Sequence, residues 1–98
     1  MKTDLLVLRN LLQKERPLLR DRYSVKEIGI FGSYATGKNK VTSDIDILVE
    51  LSKPISMFTF LDLEEHLSHV TGKKIDLATK KSLKPFIKKE ILQSVIYV

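Results

Sequence analysis

Apolar side chains recur along the chain with two different periods, and the switches between them divide it into helices and strands. Leu5, Leu8, Leu11 and Leu12 share one side of a 3.6-residue spiral, which predicts an opening helix with Thr3 as its N-cap. Pro17 either breaks this helix or starts a second short one that runs to Arg22. From about Lys26 to Phe31 an apolar run reads as a strand; "GSYATGKN" follows it, and "KNKVTS" reads as a turn. Asp44 to Leu51 then alternates with period two, placing Ile45, Ile47 and Val49 on one face and Asp44, Asp46 and Leu48 on the other.

Helical spacing returns beyond Pro54 in Phe60, Leu63, Leu67 and Val70, and Gly72 is placed to stop that helix. A third strand over about Lys74 to Ala78 carries Asp76 in its middle. The last helix is expected from about Ser82, its cap, with Pro85 in the first turn, to near Ser94. The closing "VIYV" is too short to assign.

With 98 residues the chain is expected to form a single domain over 1–98, with one modest core that buries roughly 60 to 70% of the unfolded surface. It contains no cysteine, which excludes disulfides and cysteine-ligated zinc. Asp4 and Arg9 interrupt the only apolar run near the start, and no stretch approaches the ~20 apolar residues that span a bilayer. A cytoplasmic protein with no membrane partner is therefore expected. The net charge of +5 is unevenly placed: from Lys73 to Lys89 there are seven lysines and one acid, Asp76. Such a run serves either a polyanionic partner or a solvated helix face.

"GSYATGKN" matches a P-loop until its last letter, where Asn39 replaces the Ser or Thr whose hydroxyl ligates Mg²⁺. A P-loop also opens a full helix, whereas turn residues and a strand follow Gly37. The glycines need another explanation, and the carboxylates supply it. Asp44 and Asp46 are two apart on the predicted strand, so both leave one face with Cα atoms about 6.5 to 7 Å apart. Like charges held this close call for a cation, and hard oxygen donors favour Mg²⁺ or Mn²⁺ over zinc. An isolated Asp-x-Asp would read equally well as a solvated strand edge; one placed shortly after a strand and "GSYATG" is far more specific.

With these residues in view, "FGSYATGKNKVTSDIDILVE" resembles the signature of the DNA polymerase beta-like nucleotidyltransferases, in which Gly-Ser leads to Asp-x-Asp. The best likeness is to the minimal nucleotidyltransferases, many of which resemble antitoxins paired with HEPN-domain toxins. The resemblance implies an α+β fold with a small mixed sheet and helices packed on it, like the palm of those enzymes. It implies that Asp44, Asp46 and Asp76 are the catalytic and metal-binding carboxylates, with Asp76 helping to deprotonate the attacking hydroxyl. It also implies that Gly32, Ser33, Lys38 and Ser43 bind the nucleotide, ATP, together with Mg²⁺ or Mn²⁺. Many relatives carry Arg where this chain has Thr36; Lys38 replaces the charge but not the fork geometry of a guanidinium.

The implied function is transfer of AMP from ATP to a hydroxyl, a tyrosine's, on a cognate HEPN-type toxin. Two other classes compete with it: a non-catalytic antitoxin that masks its partner by contact, and a small basic RNA-binding domain suggested by the lysines. Three further features are assigned plainer roles. Asp62, His66 and His69 lie on one helical face and are expected to be solvated rather than to bind metal. Met57, Phe58, Phe60 and Leu61 are expected in the core, with a partner or homodimer contact as the alternative. Tyr34 is expected to pack beside the site.

Overall fold

A computed structural model of the protein describes residues 5–40 and 42–98, so the cap expected at Thr3 lies outside the described residues. The chain runs through α1 (Leu5–Tyr23), β1 (Val25–Phe31), the short α2 (Ser33–Thr36), β2 (Ile45–Leu51), α3 (Met57–Thr71), β3 (Ile75–Thr79), a 3₁₀ turn (Lys80–Ser82), α4 (Pro85–Ser94) and β4 (Ile96–Tyr97). The strands form one mixed sheet in the order β3-β2-β1-β4. Both neighbours of β1 are antiparallel to it, while β2 and β3 are parallel and joined through α3. This is the α+β arrangement expected from the sequence.

The alternation in β2 gives the sheet two unlike faces. Ile45, Ile47 and Val49 are fully buried, and the register aligns them with Ile30 and Ile28 of β1 and with Ile75 and Leu77 of β3. Onto this apolar face pack Leu8, Leu12, Leu19 and Tyr23 of α1 and Leu63 and Leu67 of α3, forming one core cluster. Burying a side chain of this size is worth about 1.5 to 3 kcal/mol, and that drive fixes the register, since a one-residue slip would send the Asp46 side of β2 inward.

The other face consists of three cross-strand rows. Phe31, Asp46 and Asp76 form the first, Gly29, Leu48 and Ala78 the second, and Glu27 stands beside Glu50 in the third. Leu48 is buried as deeply as the core residues although it points away from them. A Cβ placed on Gly29 would strike the Val95 side chain, so the end of α4 comes down on the middle row.

Two local expectations are corrected. Pro17 neither breaks α1 nor starts a new helix; it sits inside one nineteen-residue helix. Its ring and the Gln13 carbonyl it fails to bond lie on the exposed side, while Leu8, Leu12, Leu19 and Tyr23 hold both halves to the sheet. Ser82 does not cap α4: its N–H donates to Thr79 Oγ1 at 3.2 Å, closing the 3₁₀ turn, and Lys84 precedes Pro85 without a side-chain cap. The expected stop of α3 is present, the Gly72 N–H donating to the Ser68 carbonyl, and at the other end Ser56, not singled out by the spacing, caps the helix with Oγ accepting from the Thr59 N–H. "VIYV" becomes β4 by pairing with Gly29 and Ile30 of β1.

Candidate active site

The first row of the open face places two carboxylates side by side. Asp46 and Asp76 are direct partners in the parallel register of β2 and β3, each the second residue of its strand. Asp44 lies just before β2, exposed, and Asp76 is exposed as well, while Asp46 is half-buried between them and the strand. Burial, the charge of Asp76, a hydrogen bond with the Asp76 carboxyl and the charge of Asp44 together push the Asp46 carboxyl up to about 6. Three acids from two segments therefore act on one another.

Gly32 links this row to the helical turn beside it. Its φ of 70° lies where an L side chain is strained, and a Cβ there would collide with the Asp46 carboxylate. The glycine thus leaves room for the acid. As N-cap of α2 it supplies no side chain, so no side-chain oxygen caps the turn that begins at Ser33. Tyr34 turns inward and is almost fully buried in the core; among the described residues its hydroxyl has no hydrogen-bond partner.

The remaining candidates of this segment have work within the fold. Thr36 Oγ1 donates to the carbonyls of Gly32 and Ser33, at 3.3 and 3.4 Å, so its hydroxyl tightens the turn. Ser43 Oγ accepts the Lys40 N–H at 2.8 Å, while the Ser43 N–H donates to the Lys40 carbonyl at 3.0 Å, closing the loop ahead of Asp44. Lys38 is exposed beyond the end of α2.

Among the described residues no three His, Cys, Asp or Glu side chains are gathered into a ready-made metal cage. Mg²⁺ commonly takes only one or two carboxylates and completes its shell with water and substrate phosphates, so an open carboxylate row suits an ion that arrives with a nucleotide. The donor set fits: Asp46 is held by like charges that a hard cation would neutralise.

Two other expectations are revised by the geometry. His66 is not solvated: its Nε2 stands 3.0 Å from Glu15 Oε1, and Asp62 accepts a hydrogen bond of 3.0 Å from the Tyr23 hydroxyl, so both tie α3 to α1. Asp62 and His69 lie on the exposed surface as expected, and of the two only His69 lacks such a tie among the described contacts. Met57, Phe58 and Leu61 are not core residues; they are 69%, 86% and 52% exposed, and only Phe60 packs against the core. Sequence reasoning also missed the cleft formed by Lys53, Lys80, Lys81 and Lys88, because those residues lie in three separate segments.

Residues 12–98 match the nucleotidyltransferase domain family. The protein adenylyltransferase MntA of Thermococcus cleftensis is 44% identical over 89 residues, covering 91% of this chain and 90% of that protein. Among solved structures, one described as a minimal nucleotidyltransferase superposes with a TM-score of 0.82 at 26% identity, covering 96% of this chain and 95% of the other. A second, a toxin-antitoxin crystal structure with AMP-PNP, superposes with a TM-score of 0.75 at 26% identity, covering 91% of this chain and 70% of that one. Gly32, the Asp46–Asp76 row and this extent of likeness lead to one conclusion: the chain belongs to the nucleotidyltransferase family of enzymes, among the minimal nucleotidyltransferases.

Proposed function

We propose that the protein is a Mg²⁺-dependent protein adenylyltransferase that serves as an antitoxin, moving AMP from ATP to a tyrosine hydroxyl of a cognate HEPN-type toxin. The observation that carries this reading is the carboxylate row of Asp46 and Asp76 beside the uncapped turn at Gly32. The likeness to an adenylyltransferase and to a toxin-antitoxin pair holding AMP-PNP supports the choice of nucleotide and partner.

In this reading the backbone N–H groups at Ser33 and its neighbour hold phosphate oxygens, where the open end of a helical turn favours anions. Lys38 adds charge near the same phosphates, and the turn closed by Ser43 presents Asp44. Asp44 and Asp46 would hold Mg²⁺, with Asp76 sharing it. A bound Mg²⁺ would neutralise the triphosphate and polarise the α-phosphoryl group. The acceptor oxygen forms a new bond to the α-phosphorus, and the bond from that phosphorus to the bridging oxygen breaks, so pyrophosphate leaves with the electron pair. Asp76 is exposed to the approaching acceptor and takes the hydroxyl proton.

Asp44 and Asp76 stand on an open face, so the acceptor protein must supply the missing wall that positions its hydroxyl. Alone, the chain is expected to be nearly idle. Mixed with its toxin partner, ATP and Mg²⁺, it should add mass in steps of one adenylate. The Asp44→Asn, Asp46→Asn double variant should still bind the partner but leave it unmodified.

Thr36 favours a second reading. Its hydroxyl is engaged by the turn, and no guanidinium stands there to clamp phosphate. A chain that neutralises by contact alone would show no adduct with wild type and full neutralisation by the double variant at equal concentration. That pair of results would replace the enzyme with a binding module.

A further inference from the structure

The lysine-rich segment is drawn together with a distant part of the chain at the C-terminal ends of β2 and β3. There the sheet edge, the 3₁₀ turn, the loop after β2 and the flank of α4 enclose a cleft of about 290 Å³. Lys80 and Lys81 come from the turn, Lys53 from the loop and Lys88 from α4. Against these four ammonium groups stands one acid, Glu50, which Lys80 meets at 3.5 Å and Lys26 at 3.9 Å. Among the described residues Lys53, Lys81 and Lys88 have no acidic partner, so the cleft carries uncompensated positive charge.

Charge alone would suit any anion, but the floor narrows the choice. Leu51, Pro54 and the methylene stems of the lysines give it apolar surface larger than a bare phosphate needs. The volume also exceeds that of a single small ion and approaches the lower limit of small-molecule pockets. No aromatic side chain lines it, which disfavours a run of stacked single-stranded RNA.

We propose that this cleft is a second nucleotide site, independent of metal, which takes the phosphate of a nucleoside monophosphate on Lys53, Lys81 and Lys88 and rests the base on Leu51 and Pro54. Its position separates it from the carboxylates. Glu50 follows Asp46 by four residues on the same side of β2, roughly 13 Å along the strand. Between them lies the middle row, where Leu48 is buried and Val95 approaches Gly29. A nucleotide held here sits at the C-terminal ends of β2 and β3, a strand length from the carboxylates, and does not reach them; its binding does not depend on the adenylyl-transfer reading.

The test is binding of AMP to the full chain in excess chelator, followed residue by residue by NMR. The expected result is saturable shifts at Leu51, Lys53, Lys80, Lys81 and Lys88, weakening as salt is raised. Lys81→Gln with Lys88→Gln should lower the affinity about tenfold or more with unchanged melting temperature. Asp44→Asn with Asp46→Asn should leave it intact. Inorganic phosphate and adenosine, titrated separately, should each bind more weakly than AMP. The proposal is overturned by absence of AMP binding in chelator, by shifts confined to Gly32, Ser33 and Asp46, by affinity that survives loss of the lysines, or by inorganic phosphate binding as well as AMP.

Discussion

Burial and the neighbouring acids push the Asp46 carboxyl up to about 6 from an ordinary value of 3.8, which makes this side chain a burden to the metal-free fold at neutral pH. The folded state holds the proton more tightly than the unfolded chain, so the group's contribution is most favourable below about pH 4 and is lost as pH rises through about 6. With a discount for the partial exposure of the carboxylate, the effect is about 1 kcal/mol. Melting curves in chelator should therefore show Asp46→Asn gaining stability over wild type at pH 7.5, with the gain shrinking toward pH 4.5. An equal difference at both values would remove the acid pair as its cause. Asp44, Asp46 and Gly32 were legible in the sequence because strand periodicity and glycine chemistry are local properties. The clash that a side chain at 32 would make with Asp46 was not, since it joins segments fourteen positions apart through the pairing of β1 with β2.

Among the elements, those that follow from periodicity were read correctly and those that depend on a distant partner were not. α3 announces itself by its apolar spacing and by Gly72 at its end. β4 has only two residues and exists because β1 offers it an edge, which no local pattern records. Pro17 shows the same override in a helix: packing of Leu12 on one side and Leu19 on the other keeps α1 continuous through a residue that cannot donate a hydrogen bond. Pro17→Ala restores that donor on an exposed face and should stabilise the protein by about 1 to 3 kcal/mol, raising the denaturation midpoint without changing the m-value. No rise, or a fall, would mean that the proline stabilises by stiffening the unfolded chain.

For the whole molecule, helices α1 and α3 occupy one side of the sheet and leave the carboxylate row open on the other. A ligand that bridges Asp44, Asp46 and the turn at Gly32 should thus stabilise the protein directly. On the proposed function, ATP with Mg²⁺ at a hundredfold excess over its dissociation constant should add about 2.7 kcal/mol, seen as a higher melting temperature that chelator abolishes. ATP that stabilises equally in chelator would point instead to the lysine cleft. The fold at this scale was largely legible from the order of helices and strands, whereas the cleft was not, because its lysines converge only after α3 has carried the chain from β2 to β3.

The parallel pairing of β2 with β3 also has a kinetic meaning. Asp46 and Asp76 are thirty residues apart, and they meet only when the crossover through α3 has closed, a non-local step that topology makes slow compared with forming α1 or α3. The hairpin-like pairing of β1 and β2 can bring Gly32 to Asp46 earlier, but it leaves the row without its second acid. On that order of events a newly made chain acquires its paired carboxylates only as its sheet nears completion, and partly folded copies lack the Asp46–Asp76 row because of the connectivity of the strands.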